Sequence, residues 1–421
     1  MSRRVAGAQI ADLPRRDRQP WIAAFRHPLA FVVLVAIAVV ADITLFVRPH
    51  SAGDVSLYYQ YASNFWFGSP PFHGLPAEYP PLALVAFTLT LIPPIQDFAT
   101  VFAIWMGVLF GLALLAIHRF EGRSATISAG VYLAVGGFGT VLARFDLVPS
   151  LVVLAALWLA YRQRWGAAAS LIAVGFLLKL YPIVLLPLLV IEQRRTQGRF
   201  SWRPLVMFVS IAGSGMLIAA ALNPAGWWSP FAYALRRPPQ VESVEASLLW
   251  LASGLGVAAH ANQSFHSRNI VSILATPLSA LGFATMVMGT GWIYLRHLKG
   301  RLSFRRATLA CLLITLLASK VLSPQYLIWV LPLVAIVEGL TWRWVLICAL
   351  TSAIYPFLYM SNLMAFGATS AGTYGPLFAG MIVLRNGLMV YALVMVVRPR
   401  SSTLRIVAPT ASDAGAQIRL A

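Results

Sequence analysis

Residues 98–118 read FATVFAIWMGVLFGLALLAIH, a run that contains no Asp, Glu, Lys or Arg. About 20 apolar residues in a helix match the thickness of the hydrocarbon core of a bilayer. Backbone polar groups in that core must pair within the segment, so the run predicts a membrane-spanning α-helix. Similar runs recur along the chain, which is 59% hydrophobic and 11% charged over 421 residues. A soluble core could not bury that much apolar surface, and the composition therefore predicts a polytopic helical membrane protein.

The hydrophobic runs predict an all-α fold with about 12 transmembrane helices. We place these spans at residues 28–48, 98–118, 126–142, 146–161, 166–179, 181–192, 203–223, 270–295, 305–319, 323–338, 343–362 and 374–397. A further apolar stretch, Pro80–Pro94, is short and has a proline pair at each end. We interpret it as an interfacial or re-entrant helix in the first outer loop, because a crossing there would move every later basic loop to the wrong side. The alternative is that it crosses and another predicted span does not.

The basic residues indicate the topology of these spans. The formal net charge is +19, and 24 of the 32 Lys and Arg residues fall in connections on one predicted side. These connections are 1–27, 119–123, 162–164, 194–203, 296–306, 343 and 398–419. Cytoplasmic loops of membrane proteins are enriched in Lys and Arg. We therefore predict that the protein lies in the plasma membrane, with these segments and both termini on the cytoplasmic side. The charge is therefore a topology signal and does not indicate nucleic-acid binding.

The chain divides into one membrane domain and two tails. We expect a basic cytoplasmic tail at 1–27, a transmembrane domain at 28–398 and a disordered cytoplasmic tail at 399–421. The domain has outer loops at about 49–97 and 224–269. No Cys/His cluster has metal-ligand spacing and no glycine-rich nucleotide motif is present, so we expect neither a metal nor a cofactor.

The first outer loop carries the strongest candidate for a catalytic group. Asp54 follows the first span, and Tyr58, Glu78 and Tyr79 lie in the same loop. A carboxylate among aromatic residues at the mouth of a membrane helix suits a general base at the water–lipid boundary. The alternative is a solvated loop residue or a helix cap. We expect Glu78 to pair with a nearby cation rather than to act as a second catalytic acid.

Lysine is rare in this chain, with three residues against 29 arginines. Two of the three, Lys179 and Lys320, lie at the outer ends of predicted spans. A compact ammonium group suits a single phosphate oxygen, so this placement predicts phosphate binding. The alternative is snorkelling, in which the long side chain reaches the headgroup layer.

Other charged residues lie in tight connections or inside spans. Arg144 and Asp146 are two residues apart in an outer connection. Either they form a structural salt bridge, or one of them contacts the donor or the acceptor. Asp42 and Arg385 fall inside predicted spans, where a charge without a partner is costly. We expect a structural ion pair or polar network at both, with a substrate role as the alternative.

Five short stretches occur in order between residues 54 and 326. They are DVSLY at 54–58 with EYPP at 78–81, RFDLVP at 144–149, KLYP at 179–182, Tyr233 with RPPQVES at 237–243, and KVLSPQY at 320–326. Together they resemble the GT-C superfamily of membrane glycosyltransferases. Within it they resemble the polyprenyl-phosphate-mannose-dependent α-mannosyltransferases of glycosyltransferase family 87, which occur largely in actinobacteria. The last spans contain no matching motif.

The resemblance implies a GT-C-like bundle whose partners are the lipid bilayer, a polyprenyl-phosphate-sugar donor and a glycolipid or glycan acceptor. It maps a catalytic base onto Asp54, and direct displacement implies inversion. The donor phosphate would contact Lys179, Lys320, Arg144 and Arg237. The other motif side chains would bind substrate: Tyr58, Glu78, Tyr79, Asp146, Tyr181, Glu242, Gln325 and Tyr326.

Two alternatives stay open within this interpretation. Some relatives transfer arabinofuranose instead of mannose, and nothing in the sequence excludes that sugar. A flippase or transporter for lipid-linked glycans would share the helices and the buried charges. Such a transporter should have broken helices at mid-membrane, whereas the charges here cluster at one predicted face.

Overall fold

The computed structural model describes residues 28–42, 44, 53–359, 361 and 376–398. The predicted tails lie outside the described residues, so the orientation of both termini stays a prediction. Three predicted spans are described only in part: residues 43 and 45–48 of the span 28–48, residues 360 and 362 of the span 343–362, and residues 374–375 of the span 374–397 lie outside the described residues.

The described residues are mostly α-helical, which confirms the predicted fold class. In chain order the helices are α1 (Pro28–Asp42), α2 (Asp54–Phe67), α3 (Ala83–Phe87), α4 (Phe98–Glu121), α5 (Arg123–Gly136), α6 (Leu147–Tyr161), α7 (Trp165–Leu178), α8 (Leu185–Gln197), α9 (Arg203–Leu222), α10 (Ser229–Arg236), α11 (Val244–Ser253), α12 (Ala275–Leu298), α13 (Phe304–Leu317), α14 (Leu331–Glu338), α15 (Trp342–Ser352) and α16 (Pro376–Val397). Short 3₁₀ helices cover Thr88–Leu91, Tyr181–Val184 and Pro324–Trp329, and a π-helical turn covers Ala353–Leu358.

Each predicted span contains one of these helices. The helices concerned are α1, α4 to α9 and α12 to α16. Among the described residues, α4, α9, α12 and α16 are long and apolar enough to cross a bilayer by themselves. The others are shorter, so the number of crossings stays a prediction. In the core, α6, α7 and α9 pack in a row, and α5 packs against α14 and α15.

The helix α4 illustrates how the sequence sets the bounds of a span. The Asp97 carboxylate accepts a hydrogen bond from a first-turn N–H at 3.1 Å and caps the start of α4. Gly122, at a φ of 81°, ends it. Phe102 and Met106 are buried one turn apart, while Leu115 is exposed on the outside of the bundle. Because lipid tails are as apolar as this core, close packing rather than transfer from water holds the buried face in place.

The first predicted outer loop contains a helix that the sequence pattern did not indicate. Asp54 is the first residue of α2, and nothing interrupts this helix because residues 54–67 contain neither Gly nor Pro. Tyr58 stacks on Phe87 with ring centroids 4.3 Å apart, which packs α2 against α3. Helix α3 and the 3₁₀ helix that follows it together cover residues 83–91. Nine residues are too short to cross a bilayer, which agrees with a non-spanning helix at this point.

The second outer loop is also ordered. It contains α10, α11 and an antiparallel hairpin of β1 (His260–Ser264) and β2 (Ser267–Val271), which the sequence pattern did not predict. The two turn residues of the hairpin, Phe265 and His266, have φ values of 53° and 50°. The Gln240 N–H donates to the Lys320 carbonyl at 2.8 Å, which ties this loop to the connection after α13.

Both charges that lie inside predicted spans have partners, as expected. Arg385 in α16 is fully buried; its Nη2 donates to the Glu242 carbonyl at 2.6 Å, and its Nη1 lies 3.5 Å from Glu242 Oε2. Asp42 Oδ1 accepts a hydrogen bond from the Gly139 N–H at 2.7 Å. Arg385 therefore anchors the second outer loop to the last described helix.

Candidate active site

A cavity of about 1530 Å³ lies where the predicted outer connections meet. Most of the side chains that the sequence nominated line it: Asp54, Glu78, Tyr79, Arg144, Lys179, Tyr181, Arg237, Glu242, Lys320, Gln325 and Tyr326. Tyr58 and Asp146 are the exceptions. Both are fully buried behind the wall, Tyr58 under Tyr79 and Asp146 under Lys179. Neither side chain lines the cavity, and the substrate contact that the motifs suggested for them stays a prediction.

Asp54 lies at the cavity with a cation beside it. Its Oδ2 is 3.0 Å from Arg144 Nε, and its side chain is 30% exposed. The start of α2 also places the carboxylate in the first helical turn, where the helix dipole favours negative charge. Arg144 donates further hydrogen bonds to the Ala143 carbonyl at 3.1 Å and to the Tyr355 hydroxyl at 3.4 Å. Burial is the largest single effect and lowers the pKa of Arg144. The Asp54 carboxylate, together with the hydroxyls of Tyr355, Tyr58 and Tyr79, outweighs it, so the pKa is raised.

Arg144 and Asp146, two residues apart, pair with different partners and not with each other. Asp146 Oδ1 accepts from Lys179 Nζ at 2.5 Å and from Trp329 Nε1 at 2.6 Å. Four aromatic rings lie within 6.0 Å of the same ammonium group, those of Tyr79, Phe145, Tyr326 and Trp329. Lys179 therefore lines the cavity as a cation whose charge is already balanced.

Arg237 and Lys320 have a different environment. Arg237 donates to Ser267 Oγ at 2.6 Å, and Lys320 donates to the Leu235 carbonyl at 2.8 Å. In the part of the chain that the structure describes, no carboxylate oxygen lies within 4.0 Å of either cation. Burial lowers the pKa of Lys320; Glu245 opposes this effect and Arg237 adds to it. These two side chains thus present positive charge that no ion pair balances within the described residues.

Two further carboxylates line the cavity, and each has a partner. Glu78 Oε1 lies 3.4 Å from His266 Nε2. Burial raises the pKa of Glu78, and His266 opposes this rise. Glu242 accepts a hydrogen bond from the Tyr359 hydroxyl at 2.6 Å. Burial raises the pKa of Glu242 to about 7, even though Arg385 and Tyr359 oppose the rise.

The cavity also has an aromatic wall and an apolar side. Trp329 stacks between Tyr181 and Tyr326, with ring centroids 4.1 and 4.0 Å away. On the apolar side, α10 contributes Phe231 and α12 contributes residues that include Phe283. Phe283 is 63% exposed, so this apolar side of the cavity is accessible from outside the protein.

Among the lining residues that the sequence analysis did not nominate, three aromatic residues contact nominated side chains: Trp329, Tyr355 and Tyr359. Trp329 follows three residues after the SPQY stretch, and that proximity was the available signal. Tyr355 and Tyr359 lie beyond the last motif, in a segment whose apolar pattern resembles that of any other span. Only the hydrogen bonds of Tyr355 with Arg144 and of Tyr359 with Glu242 identify them as residues of the site.

Comparison with known proteins gives three findings. The model of glycosyltransferase family 87 matches residues 78–320. A polyprenol-phosphate-mannose-dependent alpha-(1-2)-phosphatidylinositol pentamannoside mannosyltransferase of Mycobacterium tuberculosis (strain CDC 1551 / Oshkosh) is 27% identical over 216 residues, 46% of this chain and 48% of the relative. The match thus spans about half of that relative's length. The crystal structure of ArnT from Cupriavidus metallidurans bound to undecaprenyl phosphate has a TM-score of 0.47 and 17% identity, covering 89% of this chain and 71% of that chain.

The family match contains most of the cavity, including Arg144, Lys179 and Arg237, whereas Asp54 precedes it and Tyr326 follows it. It covers more than half of the chain and confirms the resemblance inferred from the five short stretches. On this ground the chain belongs to glycosyltransferase family 87.

Proposed function

We propose that this protein is a membrane glycosyltransferase that moves mannose from a polyprenyl-phosphate-mannose donor to a glycolipid or glycan acceptor. The reaction takes place at the outer face of the plasma membrane. The observation that carries the proposal is the placement of Asp54 in one cavity with Arg237 and Lys320. A carboxylate base and unbalanced cations facing the same space are what displacement of a phosphate from a sugar requires.

In the proposed reaction, Asp54 accepts the proton of the acceptor hydroxyl while that oxygen attacks the anomeric carbon. The bond between the anomeric carbon and the phosphate oxygen breaks, and its electron pair leaves with the polyprenyl phosphate. A single displacement inverts the configuration, so a β-linked donor gives an α-mannoside. Arg144, whose Nε lies 3.0 Å from Asp54 Oδ2, orients the carboxylate.

The leaving phosphate gathers negative charge. The cations of the cavity differ in how strongly they can stabilise this charge. Unit charges about 3 Å apart attract by about 5 kcal/mol at an effective dielectric constant near 20. Arg144 and Lys179 already have such partners in Asp54 and Asp146. We therefore assign the main electrostatic role to Arg237 and Lys320. Arg144 and Lys179 stay in the proposed phosphate site as hydrogen-bond donors of fixed geometry.

The remaining lining side chains are proposed to bind the sugars. They supply hydroxyl, carboxyl, amide and aromatic groups around the space between Asp54 and the cations: Glu78, Tyr79, Tyr181, Glu242, Gln325 and Tyr326. The isoprenoid chain of the donor would lie along the apolar side of the cavity, beside Phe231 of α10 and Phe283 of α12. This accessible apolar side supports a lipid-linked donor, because a soluble sugar nucleotide would not need it.

A substrate panel tests the proposal. Purified protein would be incubated with polyprenyl-phosphate mannose, arabinofuranose or glucose and with phosphatidylinositol mannosides of increasing length. We expect transfer of mannose, and NMR of the product should give an α-linkage. Transfer of arabinofuranose alone would mean that the donor carries arabinofuranose and not mannose. Movement of intact lipid-linked sugar across proteoliposomes, with no transfer, would instead favour a transporter.

A further inference from the structure

The structure contains a second, smaller groove that shares no lining residue with the cavity. Its volume is about 260 Å³, and it lies between α12, α13 and α16. Ser279 lines the cavity and Arg296 lines this groove, and both belong to α12. At about 1.5 Å per residue, these positions are about 25 Å apart along the helix. That distance approaches the thickness of the hydrocarbon core, so the groove lies towards the opposite, predicted cytoplasmic face.

The groove is apolar in its depth and cationic at its mouth. Ile314 and Leu393 form the deeper wall, and Val394 continues it towards the end of α16. Arg296 and Arg398 lie at the mouth, at the C-terminal ends of their helices. This gradient along one groove has the polarity of a phospholipid, with acyl chains inwards and headgroup outwards.

The two arginines at the mouth lack acidic partners in the region that the structure describes. The Arg296 guanidinium lies 4.9 Å from the ring centroid of Trp292, which keeps it at the edge of the groove. Arg306 in α13 donates to the Met395 and Arg398 carbonyls at 3.1 and 2.9 Å. These bonds tie α13 to the end of α16 and hold the mouth in one shape. Guanidinium groups match phosphate oxygens in geometry as well as in charge.

We propose that this groove binds an anionic phospholipid of the cytoplasmic leaflet, with its phosphate between Arg296 and Arg398. Basic pockets between membrane helices on the cytoplasmic side are suited to anionic headgroups. A zwitterionic lipid fills the apolar part equally well, but its cationic headgroup gains less from the two arginines. The site is independent of the proposed glycosyl transfer, because no residue of the cavity contributes to it.

Native mass spectrometry of the full-length protein tests this proposal. The protein in mild detergent would be mixed with equal amounts of phosphatidylglycerol and phosphatidylcholine of matched chain length. We expect one tightly retained phosphatidylglycerol. In the Arg296→Gln/Arg398→Gln variant the preference for the anionic lipid should fall by about tenfold or more. The matched control is Arg199→Gln/Arg301→Gln, which removes two exposed arginines of the same predicted face outside the groove and should keep the preference.

A steric variant tests the apolar part separately. Val394→Trp fills the groove without changing its charge, and retention of both lipids should decrease. Melting temperatures of all variants in detergent would verify that each is folded. An unchanged preference for phosphatidylglycerol in Arg296→Gln/Arg398→Gln, or equal retention of both lipids by the wild-type protein, would overturn the proposal. Unchanged retention in Val394→Trp would contradict the placement of the acyl chains.

Discussion

Two sides of the cavity each contain one Arg and one Lys, but only on one side do these cations pair with carboxylates. The paired side comprises Asp54, Arg144, Asp146 and Lys179, in which each cation lies within 3.0 Å of a carboxylate. The cationic side comprises Arg237 and Lys320, whose hydrogen bonds go to a hydroxyl and a carbonyl. The difference teaches that residue type alone does not decide what a cation can bind. A carboxylate partner decides whether its charge is available, and the predictions that follow test this contrast.

The largest effect is expected on the paired side, at the base itself. Asp54→Asn removes the proton acceptor with almost no change in size, and turnover should fall by about 10³-fold. Initial rates with saturating donor would measure it. Asp97→Asn is the control: Asp97 caps α4 outside the cavity, and Asn caps helices about as well as Asp, so turnover should be retained. Near-wild-type turnover in Asp54→Asn would remove the general-base assignment.

The next effect is expected on the cationic side. Lys320→Met and Arg237→Met keep an aliphatic stem but lose the charge, and turnover should fall by about 10²-fold in each. Negative charge on the phosphate is larger in the transition state than in the bound donor. Turnover should therefore fall more than donor affinity. Donor saturation curves separate turnover from donor affinity. Unaltered curves in both variants would mean that these side chains do not bind the phosphate and only reach the headgroup layer.

Lys179 should behave differently from Lys320. Lys179→Met leaves the buried Asp146 without its cation, which costs about 3–5 kcal/mol for a buried pair. Asp146→Asn in the same chain removes the stranded charge and should restore most of the stability. Thermal unfolding in detergent would compare both variants with Lys320→Met, which should melt near the wild type.

The activity of the Lys179→Met/Asp146→Asn variant then sharpens the comparison. If Lys179 donates a hydrogen bond to the phosphate, turnover stays low after stability has recovered. Turnover that recovers together with stability would limit Lys179 to a structural role and leave the phosphate to Arg237 and Lys320.

A smaller effect concerns Glu242, whose pKa is raised to about 7 by burial. An acid with a raised pKa binds more protons in the folded state than in the unfolded state between its ordinary pKa, near 4.5, and 7. Its contribution to stability therefore falls as pH rises through that window and is constant above it. Glu242→Gln should flatten this part of the stability profile between about pH 4.5 and 8. An identical slope in the variant would assign the pH dependence to other groups.

The last prediction leaves activity unchanged and tests on which face the cavity lies. A cysteine at Ser69, exposed in the first outer loop, should react with an impermeant thiol reagent added to cells. A cysteine at Ser124, exposed near the start of α5, should not react. The native Cys311 and Cys348 are buried, so their background is low. Labelling at Ser124 would mean that Pro80–Pro94 crosses the bilayer and that the topology is inverted from there on.

Much of the candidate site could be predicted because its motifs are short and local. The stretches that begin at Arg144, Lys179 and Lys320 each lie at the end of a hydrophobic run, and the ends of neighbouring helices meet at a bundle face. The ordered parts of the outer loops were harder to predict. The helix α2 and the hairpin form in segments that mix polar and aromatic residues and contain no long apolar run. Their order comes from packing against distant groups, such as Phe87 under Tyr58.

The class of the protein follows from its sequence, because an apolar run such as residues 98–118 pairs its own backbone groups and needs no partner to become a helix. The sequence also nominated Asp54. Which charges meet depends instead on how the helices pack. Asp54 and Arg144 are 90 residues apart in the chain yet 3.0 Å apart in space, while the adjacent Asp146 pairs with Lys179 instead. Charge pairing depends on distance and burial, and neither can be derived from spacing along the chain.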